Sequence, residues 1–430
     1  MQTPSFSRTW SLAWPLILGN ASIPLLSLVD TAIAGRIPGA ADLAGVALGA
    51  SWITLVFWAF SFLRQATGGL TAQAVGRDNP VEVMGYLQKG LLVAAGAGTL
   101  VIGLGQGLVT PLLSLLDVEP KLHGILHDYL VIRLFGAPFV FALYVVYGWW
   151  MGQGRTGSAV ALLMGMNLLN IVFSTWLGWG LGWGAKGIAY GTLMAEVTTA
   201  VLVLAALALR QRELRRRWNL FGIGQLLQAN GWVMLRTLSL LAVFTWFNTQ
   251  SAQLGTEAAA INAVLLTLLA VAAYALDGFA DAAEIQVGHS LGSGRPDWVR
   301  LALKYTSACS LISASLASLL LWLFAKDWVA WLVPQPELIQ GVLPWLIYLI
   351  PLPLIAWISY WMDGVYIGLN AFKAMAGVMV LSTGLVYFPL NLGLAEHGMQ
   401  AQWWSFWAWQ IARACAMLIV FRVWLMPRIR

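Results

Sequence analysis

The chain has 430 residues, of which 60% are hydrophobic and only 10% are charged, and its mean hydropathy is +0.76. Soluble domains carry roughly 25% charged residues, so this composition excludes a soluble protein. The net charge of +6 is explained by basic loops beside a membrane, and a nucleic-acid partner is not needed to account for it. The two cysteines lie in apolar segments and provide neither a disulfide framework nor a metal-ligand spacing.

Twelve apolar runs are long enough to cross a bilayer as helices, at roughly 20 residues a span. The loops between them are short, and none could form a soluble domain. The predicted fold class is an all-α polytopic membrane protein with twelve transmembrane helices. No cleavable signal peptide is expected, because the first run is long and lacks a small-residue cleavage pattern. The predicted spans are 11–34, 43–70, 85–110, 126–151, 158–178, 184–209, 229–251, 257–288, 301–324, 338–367, 374–394 and 401–425.

Lysine and arginine are distributed unevenly between the two ends of these spans. Sixteen lie on the side that holds both termini, five on the other side and three inside spans. Because cytoplasmic loops carry the excess of positive charge, both termini are predicted to be cytoplasmic, in a multi-pass protein of the cytoplasmic (inner) membrane. The longest cytoplasmic connection carries five arginines in eight positions, from Arg210 to Arg217. We interpret it as a topology anchor beside anionic lipid rather than as a specific lipid site.

The two halves of the chain share residues at a constant offset of 216 positions. Six helices in each half predict a parallel repeat, with a six-helix bundle over 1–209, a basic cytoplasmic linker over 210–228 and a second bundle over 229–430. The small residues of this pattern are expected to let helices approach closely. The matched positions are Ala44 with Ala260, Ala47 with Ala263, Gly76 with Gly292, Gly148 with Gly364, and Gly152 with Gly368.

The first span carries one carboxylate, Asp30, in the outer half of the bilayer. An ionised Asp there costs about 2.5–3.5 kcal/mol on insertion scales, so it needs a partner or a function. From the residues alone, a helix cap and a proton or cation site both stay open. Asn170 and Thr192 offer neutral oxygens that could complete such a site. Pro15 and Pro24 are predicted hinge positions in the same helix.

The eighth span carries Asp277, Asp281 and Glu284 at i, i+4, i+7 spacing, which puts all three carboxylates on one helix face. Two interpretations stay open: a paired structural network, or an acidic wall for cationic substrates or ions. No nucleophile–base pair, metal-ligand set or P-loop accompanies the acids, so an intramembrane enzyme is a weak rival. The remaining charged candidates for the cavity or a charge network are Arg64, Arg236, Arg413 and Asp363.

Several stretches of the chain resemble one transporter family. The run from Pro24 to Ala32 is similar to the first helix of MATE (multidrug and toxic compound extrusion) exporters. The runs from Phe62 to Ala74 and from Ala273 to Ala280 resemble the DinF-like branch, and Asp363-Gly364 with Ile367-Gly368 adds a fourth match. The resemblance covers nearly the whole chain. It implies a V-shaped exporter with a central cavity, which works by alternating access as H⁺ or Na⁺ enters.

The resemblance also assigns roles to single residues. It makes Asp30 the coupling carboxylate, with Asn170, Thr192 and Ser174 in its polar cluster. Relatives commonly place a second acid four residues after the Asn, where this chain has Ser174. One carboxylate fewer favours H⁺ over Na⁺ as the coupling ion, with Na⁺ at Asp30 as the alternative. No cofactor besides that ion is expected.

The expected partners are amphipathic organic molecules, with cationic ones favoured, and membrane lipids. Neither nucleic acid nor an obligate protein partner is expected. A flippase for a lipid-linked substrate is the alternative within transport. It would favour an arginine-rich lateral cavity, whereas the intramembrane charges of this chain lean acidic.

Overall fold

The computed structural model describes the backbone of residues 2–34, 40–115, 120–210 and 222–428, without side chains at 23–34, 40–41, 115, 120–121 and 428. Within these ranges the chain is helical almost throughout and contains no strand. The α-helices are α1 Phe6–Ala34, α2 Ala40–Ala59, α3 Phe62–Gly76, α4 Pro80–Leu115, α5 Pro120–Leu134, α6 Ala137–Gly152, α7 Thr156–Ser174, α8 Gly184–Arg210, α9 Ile223–Gln253, α10 Thr256–Gly292, α11 Pro296–Leu332, α12 Pro336–Val342, α13 Leu346–Leu349, α14 Leu352–Gly368, α15 Phe372–Ser382, α16 Phe388–Gly393 and α17 Met399–Val420.

Each of the twelve predicted spans coincides with one of these helices or with two or three in succession. Nine helical segments of the described chain are long and apolar enough to cross a membrane, and two bent helix pairs would make eleven. The remaining predicted span coincides with α1, which runs without a break through Pro15 and Pro24. Long transmembrane helices therefore form the whole described architecture.

Two spans are bent, which the apolar pattern did not show. The axis turns by 47° between α5 and α6 and by 53° between Pro336–Leu349 and Leu352–Gly368. A proline occupies the first turn after each bend, Pro138 in α6 and Pro353 in α14. Proline is tolerated at a helix start but cannot donate to the preceding turn, so it permits a new helix axis.

The described chain divides into two compact units. The C-terminal unit comprises Met1–Ile17, Ala72–Asp78 and Gly231–Arg430, and the N-terminal unit comprises Leu18–Thr71 and Asn79–Asn230. The predicted bundle boundaries at 209 and 229 stay a prediction. Residues 211–221 of the predicted linker lie outside the described ranges.

Two matched glycines bring helices into backbone contact, one pair in each unit. A Cβ at Gly148 would lie 2.2 Å from the carbonyl oxygen of Arg64, and a Cβ at Gly364 would lie 1.9 Å from that of Ala280. Both the glycines and their partners are 216 residues apart, so the same crossing occurs twice. Small residues at helix interfaces allow such close approach in membranes.

A second set of glycines shows the repeat within the C-terminal unit. A Cβ at Gly76 would lie 2.6 Å from Cα of Gly292, and a Cβ at Gly292 would lie 2.8 Å from Cα of Gly76. One turn earlier, a Cβ at Gly288 would lie 2.6 Å from Cβ of Ala72. Because each residue meets its counterpart 216 positions away, the ends of α3 and α10 are related by a local two-fold axis. The prediction of a parallel repeat is confirmed.

We expect the Gly364→Ala substitution to force α10 and α14 apart and to destabilise the protein by roughly 1–3 kcal/mol, as overpacking does. The measurement is the thermal unfolding midpoint of purified protein in one detergent. Gly377→Ala is the matched control, because a Cβ at Gly377 on α15 would meet nothing within 4 Å. Equal midpoints for the two variants would contradict the close packing.

Candidate functional site

A buried polar cluster in the N-terminal unit unites three residues that the sequence singled out. Nδ2 of Asn170 on α7 donates to Oγ1 of Thr192 on α8 over 2.8 Å. The carbonyl oxygen of Ile188 accepts from Thr192 at 3.0 Å and from Ser174 at 3.4 Å. Asn170 and Ser174 are fully buried, so the cluster is a polar island between apolar helices.

A glycine on α8 explains how the two helices come close enough for these bonds. A Cβ at Gly191 would lie 2.5 Å from the backbone of Ser174. One acceptor of the cluster is unused: Oδ1 of Asn170 is buried and has no hydrogen-bond partner among the described residues. An unpaired buried amide oxygen is costly, which makes it a natural ligand for a hydroxyl group, a protonated acid or a cation.

The first helix contacts α7 on the approach to this cluster. Gly19 packs against Val160, with 3.0 Å between its Cβ position and Cγ2 of Val160, and Asn167 Nδ2 donates to Ser22 Oγ over 3.2 Å. The side chains of Asp30 and Pro24 lie outside the described residues. The coupling role of Asp30 and the hinge role of Pro15 and Pro24 stay predictions.

One turn beyond Thr192, α8 carries a buried ion pair that the sequence did not reveal. Both oxygens of Glu196 accept from Arg133 on α5, each over 2.7 Å. The side chains of Arg133 and Glu196 are only 8% and 6% exposed. Gly136 makes room for the carboxylate, because a Cβ there would lie 2.1 Å from Oε2 of Glu196. Arg133 is one of the five basic residues that the sequence places on the outer side, and no residue near it in the sequence indicates this partner.

The three acids of the eighth predicted span lie on α10. Asp281 and Glu284 are buried, Asp277 is partly exposed, and all three have interaction partners. Arg64 belongs to the N-terminal unit, where its Nη1 lies 3.4 Å from Sδ of Met151 and its guanidinium stands 5.7 Å from the Tyr147 ring. Whether the α10 acids form a wall for substrates or a structural network stays a prediction.

Three charged side chains converge inside the C-terminal unit. Arg236 on α9 and Arg413 on α17 both donate through Nη2 to the same oxygen, Oδ2 of Asp363 on α14. The side chains of Arg236, Asp363 and Arg413 are 12%, 9% and 3% exposed. Arg413 also lies 3.5 Å from Oε1 of Gln410 and 5.6 Å from the Trp409 ring. Arg236 and Asp363, two of the residues named for the cavity or a charge network, are thus paired in the structure, and their role stays a prediction.

The described side chains were also compared with the ligand sets of metal centres. Across the part of the chain that the structure describes, no three His, Cys, Asp or Glu side chains come together in a metal-binding group.

A family model described as MatE matches residues 15–176 and 232–392, which is most of the chain. The chain belongs to the MatE family. The second match ends 216 residues after the first, in agreement with the offset of the matched glycines. MATE proteins are transporters rather than enzymes, and this one is a multi-pass membrane protein.

Similar proteins match most or nearly all of the chain. The DNA damage-inducible protein F of Escherichia coli K12 is 33% identical over 429 residues, which covers 98% of this chain and 93% of that protein. Multidrug resistance protein PmpM of Pseudomonas aeruginosa is 27% identical and covers 76% of this chain and 71% of its own length. The resemblance to the DinF-like branch of MATE proteins is confirmed.

Solved structures confirm the MATE fold. The crystal structure of the Vibrio cholerae MATE transporter VcmN in the bent form gives a TM-score of 0.84 at 21% identity, covering 97% of this chain and 96% of that one. A crystal structure of a MATE protein in the straight conformation gives a TM-score of 0.85 at 16% identity, covering 99% of this chain and 97% of that one.

We expect Glu196→Gln to destabilise this MATE protein by about 3–5 kcal/mol, because it leaves the buried Arg133 charge without its counter-ion. The double variant Arg133→Met, Glu196→Leu should recover most of that loss, since it removes both charges. Thermal unfolding midpoints in one detergent measure both effects.

An exposed ion pair in the same unit provides the control. Lys186 and Asp128 lie 2.7 Å apart, but their side chains are 60% and 39% exposed. Lys186→Gln should cost at most about 1 kcal/mol, as exposed pairs do. A midpoint shift by Glu196→Gln no larger than that by Lys186→Gln would contradict the stabilising role of the buried pair.

Proposed function

We propose that this MATE protein is an ion-coupled antiporter that exports amphipathic organic molecules, cationic ones among them, by alternating access. H⁺ is the favoured coupling ion and Na⁺ the alternative. The observation that most supports ion coupling is the buried Asn170–Thr192–Ser174 cluster inside an apolar bundle. In that cluster Oδ1 of Asn170 has no hydrogen-bond partner among the described residues. The similarity to PmpM, a multidrug resistance protein, supports export as the direction and amphipathic compounds as the cargo.

The register of two helices supports Asp30 as the coupling carboxylate. The contacts Gly19–Val160 and Ser22–Asn167 advance in the same direction along α1 and α7, so the two helices run parallel. Asp30 follows Ser22 by eight residues, a rise of about 12 Å, and Ser174 follows Asn167 by seven residues, a rise of about 10 Å. Asp30 is therefore expected at the depth of Ser174, about one helical turn beyond Asn170.

The composition of the cluster supports H⁺ over Na⁺. A high-affinity cation site relies on charged ligands, and Asn170, Ser174 and Thr192 offer only neutral oxygens to Asp30. A proton needs a single carboxylate with an acceptor beside it, which Asp30 and the neutral oxygens of the cluster would supply. In this account Asp30 takes up a proton from outside and loses it to the cytoplasm, and each cycle carries one substrate outward.

The protein is proposed to lie in the cytoplasmic (inner) membrane with both termini in the cytoplasm, as the lysine and arginine asymmetry indicates. A flippase for a lipid-linked substrate is the second candidate. It gains support from Arg236 and Arg413, which provide the C-terminal unit with buried cations of the kind that a phosphate would need.

We expect Asp30→Asn to abolish efflux of a fluorescent cation from proteoliposomes under a pH gradient, because the amide cannot carry a proton. Asp327→Asn is the control, since Asp327 is exposed at the end of α11 and should leave efflux unchanged. Full pH-driven efflux by the Asp30→Asn protein would refute the coupling role.

Ion replacement in the same vesicles distinguishes the two coupling ions. A pH gradient without Na⁺ should drive efflux, and a Na⁺ gradient at equal pH should drive less than about a tenth of it, because the cluster lacks a second acid. Equal or greater efflux under the Na⁺ gradient would show that Na⁺ is the coupling ion.

A further inference from the structure

The two buried charge clusters differ in how their hydrogen bonds are shared. In the N-terminal unit, Arg133 and Glu196 use two donors and two acceptors, one for one. In the C-terminal unit, Arg236 and Arg413 both donate to one oxygen of Asp363. In the first pair, both carboxylate oxygens are bonded by the one arginine. The second cluster is shared, and one arginine can leave Asp363 while the other keeps it.

The shared cluster also contains unused hydrogen-bonding capacity. Oδ1 of Asp363, Nε of Arg236 and Nε of Arg413 are all buried and have no hydrogen-bond partner in the described structure. Native proteins satisfy the large majority of buried polar side-chain atoms, so three orphans on one trio of residues need an explanation. A ligand group with anionic oxygens would occupy the donors.

The two arginines of the cluster differ in their surroundings. Asp277 on α10 is near enough to Arg413 to affect it electrostatically, and Tyr360 on α14 lies in the same neighbourhood. Arg413 is the more enclosed guanidinium, with the Trp409 ring 5.6 Å away and Gln410 beside it. Arg236 is the more exposed of the two arginines, at 12% against 3%.

We propose that the Arg236–Asp363–Arg413 cluster is a recognition site for an anionic group, a carboxylate, sulfonate or phosphate, on an amphipathic substrate. The incoming group takes over the Arg236 guanidinium, and Asp363 stays paired with Arg413. The inference rests on the proposed transport function, and it extends the substrate class from cationic molecules to zwitterionic and anionic ones.

Three properties of the cluster support this exchange. A guanidinium binds planar anionic oxygen groups through two parallel donors, and the orphan Nε of Arg236 is one of those donors. No charge is stranded when Arg236 changes partner, because Arg413 remains on Asp363. The carboxylate of Asp363 is already bonded by two guanidinium groups, so it offers no free counter-charge to a cationic group.

The direction in which one substitution changes ligand affinity distinguishes an anion site from a cation site. Asp363→Asn removes the internal competitor for both arginines while it keeps the side chain's shape. An anion site must then bind its ligand more tightly, whereas a cation site must bind more weakly. Arg236→Gln has the opposite expectation for an anion, because it removes the exchanging donor.

The probes are rhodamine 110, which has a free carboxylate, and rhodamine 123, its methyl ester, measured by fluorescence polarisation with the purified full chain in detergent. We expect Asp363→Asn to tighten rhodamine 110 binding by about fivefold or more and Arg236→Gln to weaken it by about tenfold or more. Rhodamine 123 affinity should change less than about twofold in both. Arg300→Gln is the matched control, since that side chain is 58% exposed on α11.

Arg236→Lys provides a variant that keeps the charge in case Arg236→Gln does not fold. It should weaken rhodamine 110 binding while leaving rhodamine 123 unaffected, because an ammonium cannot replace the two-donor fork. Displacement of rhodamine 110 by phosphatidylglycerol would support the anion site and identify a lipid headgroup as its source. Weaker rhodamine 110 binding by Asp363→Asn, or equal affinities in Arg236→Gln and Arg300→Gln, would overturn the proposal.

Efflux and binding measurements on the wild-type protein distinguish failure of this inference from failure of the proposed function. Loss of pH-driven rhodamine 123 efflux together with intact, carboxylate-selective binding would refute the antiporter and leave the anion site standing. Normal rhodamine 123 efflux with no response of rhodamine 110 binding to the variants would refute the anion site alone.

Discussion

A charged side chain within a membrane-spanning bundle must find its partner inside the protein, and this requirement determines where chemistry can occur in the chain. Only 10% of the residues are charged, and the buried ones collect in small clusters. In the N-terminal unit Arg133 bonds both oxygens of Glu196. In the C-terminal unit Asp363 is shared by two arginines. One acceptor of Asp363 and one donor of each arginine have no hydrogen-bond partner in the described structure. The neutral cluster at Asn170 has spare capacity of its own, and those two places are where ligands are proposed to act.

The repeat supplies the framework on which these unlike clusters sit. Gly148 and Gly364 make the same backbone crossing in the two units. Gly76 and Gly292, which are counterparts in the repeat, contact one another. Such contacts tolerate no side chain, so they preserve backbone geometry in both halves. The polar residues do not follow the repeat: Asp363 stands 216 positions after Tyr147. The halves therefore share their packing and differ in chemistry, and we propose that one unit handles the coupling ion while the other recognises part of the substrate.

Much of this architecture could be predicted from the sequence, because its signals are local. Apolar runs of a fixed length mark the spans, and a constant offset marks the repeat. Asn170 and Thr192 were recognised as members of one cluster through resemblance. The bends beside Pro138 and Pro353 were missed, since a proline at a helix start does not interrupt an apolar run. The pairing of Arg133 with Glu196, 63 positions away, and of two arginines with Asp363 depends on which helices are neighbours. Spacing along one helix carries no such information, and it pointed instead to the acids of α10.

The central claim is that Asp30, beside the Asn170 cluster, exchanges a proton for the substrate. Proton release on substrate binding tests it most directly, measured with a pH indicator in a weakly buffered solution of the purified protein near neutral pH. The account predicts that the wild-type protein releases a proton when a cationic substrate is added and that the Asp30→Asn protein releases none. Equal proton release by both proteins would contradict it.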